Sequence, residues 1–192
     1  MNWYNIILRR VRPDDCDGLL EWRNSQSVAK FMYNDHQISS DEHKAWFKAM
    51  LEDDSSIYWI VEISDRPCGI ISINNINPDD SSASWAVYLV DETDRGKGLG
   101  LYLEYCILSY SFDQRQFRRL RCEVLETNCP MQKLQESLGF ELVGRFHARA
   151  LKAGLPVDAL VYVITLEKWS QTRAALDERL RSKGIEPIPL LS

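Results

Sequence analysis

Between a run of apolar residues, Trp85 to Val90, and a helix-like stretch from Leu99 to Phe112 lies the sextet Arg95-Gly96-Lys97-Gly98-Leu99-Gly100. Three alternating glycines let a backbone turn sharply and leave its N–H groups bare. The helix that follows adds the positive end of its dipole, so strand, turn and helix together make a cradle suited to phosphate. Position and spacing narrow the reading. The first-strand dinucleotide loop reads G-x-G-x-x-G near the start of its domain, whereas this one reads G-x-G-x-G in mid-chain. A nucleoside-triphosphate loop needs four residues between its first Gly and Gly-Lys-Ser/Thr, and the sextet lacks that pattern.

Periodicity places the sextet within a longer order. Ile6 to Val11 reads as a strand, stopped by Arg12-Pro13-Asp14-Asp15, which caps a helix through about Asn24. A second helix opens at Ser40 and carries the stripe Trp46, Phe47, Met50, Leu51. Ile57 to Ile63, Cys68 to Ile76 and Ser84 to Val90 read as three strands joined by turns at Asp65-Arg66-Pro67 and Asn77-Pro78-Asp79-Asp80. After the glycine turn, Leu99, Tyr102, Leu103, Cys106, Ile107 and Tyr110 recur at helical spacing and predict a one-faced helix packed on a sheet. Leu120 to Leu125 is a further strand, followed by a short helix from Asn128-Cys129-Pro130 to Gly139. Phe140 to Leu151 and Val157 to Leu166 form a hairpin about Lys152-Ala153-Gly154. The order β-α-α-β-β-β-α-β-α-β-β is that of an α/β (α+β) chain with about seven strands. From Trp169 a charged helix and a Pro-containing tail are expected to lie loose or to dock on a partner. The helix and the ending at 188–191 offer a surface for a homodimer.

A chain of 192 residues suits one domain with a full core. Its net charge of −5 argues against a general binder of nucleic acid or membrane surfaces, which need an excess of Lys and Arg. The one basic cluster, Arg115, Arg118, Arg119 and Arg121, reads as a solvated helix end leading into a strand. Five cysteines are scattered without a C-x-x-C pair or a nearby His at zinc-ligand spacing, which predicts reduced thiols and no metal site. Met1 to Arg12 is short, polar at its start and strand-like, and no apolar run reaches about 18 residues. A cytoplasmic protein is expected, with residues 1–168 as the domain and 169–192 as a C-terminal helix and tail.

Two blocks carry a family resemblance. The first is Val87-Tyr88-Leu89-Val90-Asp91-Glu92-Thr93-Asp94-Arg95-Gly96-Lys97-Gly98-Leu99-Gly100, with its R-x-x-G-x-G core. The second is Asn128-x-Pro130-x-x-Lys133-x-x-x-x-Leu138-Gly139-Phe140. Over roughly residues 5 to 168 the chain resembles the acetyl-coenzyme A N-acetyltransferases of the GNAT family. The resemblance implies a mixed, mostly antiparallel central sheet flanked by helices, and acetyl-CoA as cofactor. It implies that the backbone of Leu89 and Val90 hydrogen-bonds the pantetheine arm like an added strand. Main-chain amides of Arg95, Gly96, Lys97, Gly98, Leu99 and Gly100 would take the pyrophosphate, and Asn128 the pantetheine amide, with Lys133 in the same block. Attack by an amine on a thioester needs a deprotonated amine and a fixed N–H donor, near Tyr88 to Leu89, for the carbonyl oxygen that gains charge. Many family members carry a Tyr acid three residues before the Leu of L-G-F. Here that position is Gln135, which has no proton to give; Tyr88, Tyr102 and Tyr105 stand as substitutes.

The N-terminal half narrows the acceptor. Glu21-Trp22-Arg23-Asn24, Phe31-Met32-Tyr33-Asn34 and Glu42-His43-x-x-Trp46-Phe47 resemble acetyltransferases of pseudaminic acid biosynthesis, which act on the 4-amine of a UDP-linked amino sugar. Similar blocks occur more loosely in ribosomal-type protein N-terminal acetyltransferases, the alternative reading. A non-catalytic acyl-CoA-binding module is the third. On the sugar reading Trp22, Phe31, Tyr33 and Trp46 offer flat or apolar surfaces, alongside Asn24 and Met32, and Arg23 pairs a phosphate. His43 orients a water or accepts the amine's proton, with Glu123 as rival base. His43 reads equally as a core histidine, three and four residues before Trp46 and Phe47, which themselves read as core.

Overall fold

The computed structural model of the chain describes residues 6–34 and 36–188. The first five residues of the strand-like N-terminal segment, and 189–191 of the expected dimer-forming ending, lie outside the described residues.

β1 (Ile6–Arg10) leads through a 3-10 turn at Pro13–Asp15 into α1 (Cys16–Asn24) and a four-residue helix α2 (Gln26–Ala29), which the sequence pattern does not announce. α3 (Ser40–Glu52) starts where the Ser39 hydroxyl accepts the Glu42 N–H. β2 (Ile57–Ile63), β3 (Arg66–Asn77) and β4 (Ser82–Leu89) form an antiparallel meander. α4 (Leu99–Ser109) continues into a π-turn at Tyr110–Gln114 and is followed by β5 (Arg119–Leu125), α5 (Cys129–Leu138), β6 (Glu141–Lys152), β7 (Leu155–Thr165) and α6 (Leu166–Arg181). Among the described residues, seven strands make one sheet in the order β1-β2-β3-β4-β5-β7-β6, mixed because β4 and β5 alone of these run parallel.

Alternation along the strands sends neighbouring side chains to opposite faces. Trp59, Val61, Ile71, Ile73 and Trp85 pack in the cluster that includes α4 residues Leu99, Leu103 and Ile107. Ile60 and Ile70 pack with Leu19 of α1 and with Phe47 and Met50 of α3.

Two expectations fail here. α4 is not one-faced: Leu101 to Ser109 are all buried. Its outer surface is covered by α6 and the tail, since Tyr105 packs beside Trp169, and Tyr102 and Tyr105 donate their hydroxyls to the carbonyls of Ile188 and Pro187 at 2.7 and 2.6 Å. The C-terminal helix is accordingly not loose. Trp169, Leu176, Leu180 and Ile185 are buried in the same core cluster as α4, because that helix needs a cover for an all-round apolar surface.

Candidate active site

β4 and β5 pair only from Ser82 to Ser84 against Arg119 to Arg121, and then part. The cavity that opens between them measures about 790 Å³ and is walled by β4 residues Ser84–Leu89, by Cys122 to Leu125 of β5, and by the N-terminal parts of α4 and α5. Val90 donates its N–H to the Cys68 carbonyl at 2.9 Å, which fixes the phase of the β3–β4 ladder. By the alternation of an antiparallel pair, Tyr88 and Ala86 bond β3, whereas the main-chain groups of Val87 and Leu89 face the gap. Val90 is therefore not free to bond an arm in the cleft, contrary to expectation. The Tyr88 N–H is likewise committed to β3, and the Leu89 carbonyl accepts from the Arg95 guanidinium at 2.7 Å. Free main-chain donors on this wall come from Val87 and Leu89.

At the mouth of the gap, Gly96 and Gly98 hold φ of 75° and 96°, left-handed values that a side chain disfavours. Gly98 is the N-cap of α4 and gives it no side-chain cap; its carbonyl takes the Tyr102 N–H at 3.0 Å. The N–H groups of Leu99, Gly100 and Leu101 thus have no partner within their own helix. A Cβ added at Gly96 would meet nothing within 4 Å, and one at Gly100 only Leu134 Cδ2 at 3.7 Å. An open, glycine-lined helix start facing a strand edge fits a long, thin group with an anionic end. Arg95 lines the cavity as expected, but its main-chain amide is already engaged. Its N–H is donated to the Glu92 carbonyl at 3.1 Å, its guanidinium to the carbonyls of Leu89 and Ser27, and its charge lies 5.5 Å from the Phe31 ring. It rivets the loop to β4 and α2.

Of the other expected cofactor residues, Leu89, Gly96, Gly100 and Asn128 line the cavity, while Lys97, Gly98, Leu99 and Lys133 do not. Asn128 caps α5 by accepting the Met131 N–H on Oδ1 at 3.4 Å. Gln135 is fully buried at the cavity wall, its Oε1 3.4 Å from the Cys122 thiol and its Nε2 3.3 Å from Met131 Sδ. Burial pushes the Cys122 thiol well above its ordinary pKa, so it stays protonated and is no nucleophile.

Glu123, Tyr88, Met32 and Tyr33 also line the cavity. Burial alone would raise Glu123, but a hydrogen bond from Tyr33 Oη at 2.5 Å, one from Arg121 and the charges of Arg121 and Arg149 outweigh it and hold the carboxyl below the usual range. Tyr88 packs, partly buried, against the α1–α3 cluster, and desolvation raises its phenol, which keeps its proton. His43 does not reach the cavity. It is 3% exposed, with Nε2 2.8 Å from the Cys16 carbonyl and its ring 5.3 Å from that of Trp46, which makes it a core histidine. Trp22, Arg23, Asn24 and Trp46 also lie outside the cavity lining. Asn24 instead makes paired hydrogen bonds with the main chain of Ile38 at 2.9 and 2.8 Å, fixing the approach to α3. Arg149 lines the cavity and was not anticipated; Arg121, expected to be merely solvated, pairs with Glu123.

A profile of the acetyltransferase (GNAT) domain family matches residues 5–141. The uncharacterized protein MJ1062 of Methanocaldococcus jannaschii is 23% identical over 141 residues, covering 71% of this chain, which spans only 28% of that protein's length. Acetyltransferase PseH of Campylobacter jejuni is 26% identical over 132 residues, 69% of this chain and 80% of that protein. Among solved structures, the spermidine N-acetyltransferase from Vibrio cholerae in complex with CoA and spermine shares the fold at a TM-score of 0.78 and 20% identity, over 87% of this chain and 99% of that one.

Proposed function

The chain belongs to the GNAT family of acetyl-CoA-dependent acetyltransferases, and on that premise we propose that it transfers an acetyl group to a primary amine on a nucleotide-linked amino sugar. The observation that carries the reading is the gap between β4 and β5, edged by free main-chain donors on one wall and by a carboxylate on the other.

When bound, acetyl-CoA supplies the activated acetyl group as a thioester. The N–H groups at the start of α4, from Gly96 to Leu101, hold its diphosphate by charge and direction. The N–H groups of Val87 and Leu89 bond the arm as a partial strand, and Asn128 adds its Nδ2. A main-chain N–H of Val87 or Leu89, fixed by the β3–β4 ladder, would be the donor available to the acetyl carbonyl oxygen. Glu123, kept ionised, bonded by Tyr33 and Arg121 and paired with Arg149, is a weak base. It orients the amine by accepting an N–H, and the proton leaves to water. Gln135 offers at most an N–H bond to the departing sulfur, whose proton comes from solvent.

The amino-sugar acceptor is supported by the resemblance of the segments around Trp22, Met32 and His43, of which Met32 and Tyr33 reach the cavity. Release of free thiol from acetyl-CoA tests it, with a UDP-linked 4-amino sugar, spermine and short N-terminal peptides as parallel acceptors. Turnover with the sugar alone is expected. Turnover with peptides would move the reading to protein N-terminal acetylation, and the absence of thiol release with every amine would leave only acyl-CoA binding.

A further inference from the structure

We propose that Arg121, Phe146 and Arg149 form a binding site for a phosphorylated, ring-bearing part of the acceptor, and that this site excludes polyamines. The proposal rests on the acetyl-transfer reading of the cleft and goes past it by assigning the acceptor's anchor to β5 and β6, where the sequence placed it on α1 and α3.

A local irregularity builds the site. Phe146 and Arg149 are three residues apart and would fall on opposite faces of a regular strand. Between the pairs Phe146–Ala159 and Ala150–Val157, however, β6 runs three residues against one of β7. Ala148 takes a φ of 50°, held by its N–H to Asp158 Oδ1 at 2.9 Å, while Asp158 Oδ2 receives Arg145 and His147 at 2.9 and 3.0 Å. A bulge of this kind re-aims side chains. Here it brings both Phe146 and Arg149 to the face that carries Arg121 and Glu123.

The Phe146 ring remains 43% exposed, with the guanidinium carbons of Arg121 and Arg149 at 5.5 and 5.6 Å. Arg149 also lies 4.7 Å from the Tyr33 ring and reaches Glu123 at 3.4 Å, so the platform is continuous with the cavity. Two guanidiniums against one carboxylate leave the mouth positive. Arginine forks match phosphate oxygens, and a ring flanked by them offers a face for stacking. A polycation arriving there meets fixed positive charge and a carboxylate that is already neutralised.

Calorimetric titration of UDP into the full chain, with the cofactor cleft saturated by coenzyme A, tests the site. UDP is expected to bind, and Arg121→Ala and Arg149→Ala each to weaken it by about tenfold or more. Phe146→Leu is expected to weaken UDP but not inorganic pyrophosphate. Coenzyme A affinity stays unchanged in all three. Arg181→Ala removes the same charge from α6, away from the platform, and leaves UDP binding intact. Binding of spermine in place of UDP, indifference of UDP to Arg121 and Arg149, or an equal loss with Arg181→Ala would overturn the proposal. If coenzyme A binds and UDP does not, this site alone fails; if neither binds, the acetyl-transfer reading beneath it fails too.

Discussion

Glu104 sits within α4 at 1% exposure, its carboxyl oxygens buried without a close hydrogen-bond partner. Burial pushes its pKa from 4.5 up to about 8, against the opposing pull of the Gln135 amide and the Arg179 charge. An acid whose folded pKa is raised gives its full stability below the unfolded value and loses it as pH climbs through the folded one. Stability should therefore decline from about pH 4.5 to about pH 8, by about 3 kcal/mol at neutral pH. Glu104→Gln keeps the shape and removes the titration, so urea denaturation should show a flatter pH dependence and a more stable protein at pH 8. Equal slopes for variant and parent would refute this. At the cavity wall, Glu123→Gln should lower kcat/KM for the acceptor by about tenfold or more while sparing KM for acetyl-CoA, because a neutral amide accepts the amine N–H more weakly and no longer pairs by charge with Arg121 and Arg149. Steady-state kinetics with each substrate varied in turn separates these effects. Single residues were the least legible part of the sequence. His43 and Glu123 are both titratable residues in suggestive patterns, and only the chain's path reveals that one meets the Cys16 carbonyl and the other the cavity.

At the scale of elements, the cleft depends on how closely β3 approaches the end of β4. A Cβ on Gly69 would lie 2.4 Å from the Tyr88 carbonyl oxygen and 2.9 Å from Leu89 Cδ2. Gly69→Ala should destabilise the fold by about 1 to 3 kcal/mol and weaken coenzyme A, because the strand edge that carries the Leu89 N–H must move. Gly18→Ala, in α1 with nothing within 4 Å, should instead stabilise by about 0.5 to 1 kcal/mol and leave affinity unchanged. Denaturant melts and coenzyme A titrations on the pair check both statements. Elements were readily legible where a period or a stop signal marked them. Ile57–Ile63 emerges with the expected bounds, and the glycine turn stands between strand and helix as read. The four-residue α2 is too short to leave a period, and the β6 bulge depends on Asp158 of the partner strand, so neither leaves a mark on its own segment. The platform built on that bulge was invisible for the same reason.

For the whole molecule, the expected division at residue 168 meets a core that crosses it. Trp169, Leu176, Leu180 and Ile185 cover α4, whose buried residues would otherwise face water. Removing residues 169 to 192 should abolish cooperative unfolding or leave an aggregating chain, since each large apolar side chain so uncovered costs about 1.5 to 3 kcal/mol. Circular dichroism melts of the shortened and full chains decide it. The mixed, mostly antiparallel character of the sheet came into view in the sequence through a family resemblance, while its strand order and parallel β4–β5 contact did not, because periodicity registers strands but not their neighbours. Among the described residues, no helix is long and apolar enough to cross a membrane. The whole account turns on an anionic carrier held in the gap where β4 and β5 part. Amide ¹H–¹⁵N spectra recorded during a coenzyme A titration test that claim most directly. Saturable shifts at Val87, Leu89, Gly96 to Leu101 and Asn128 are predicted; an unchanged spectrum, or shifts confined to residues away from that gap, would contradict it.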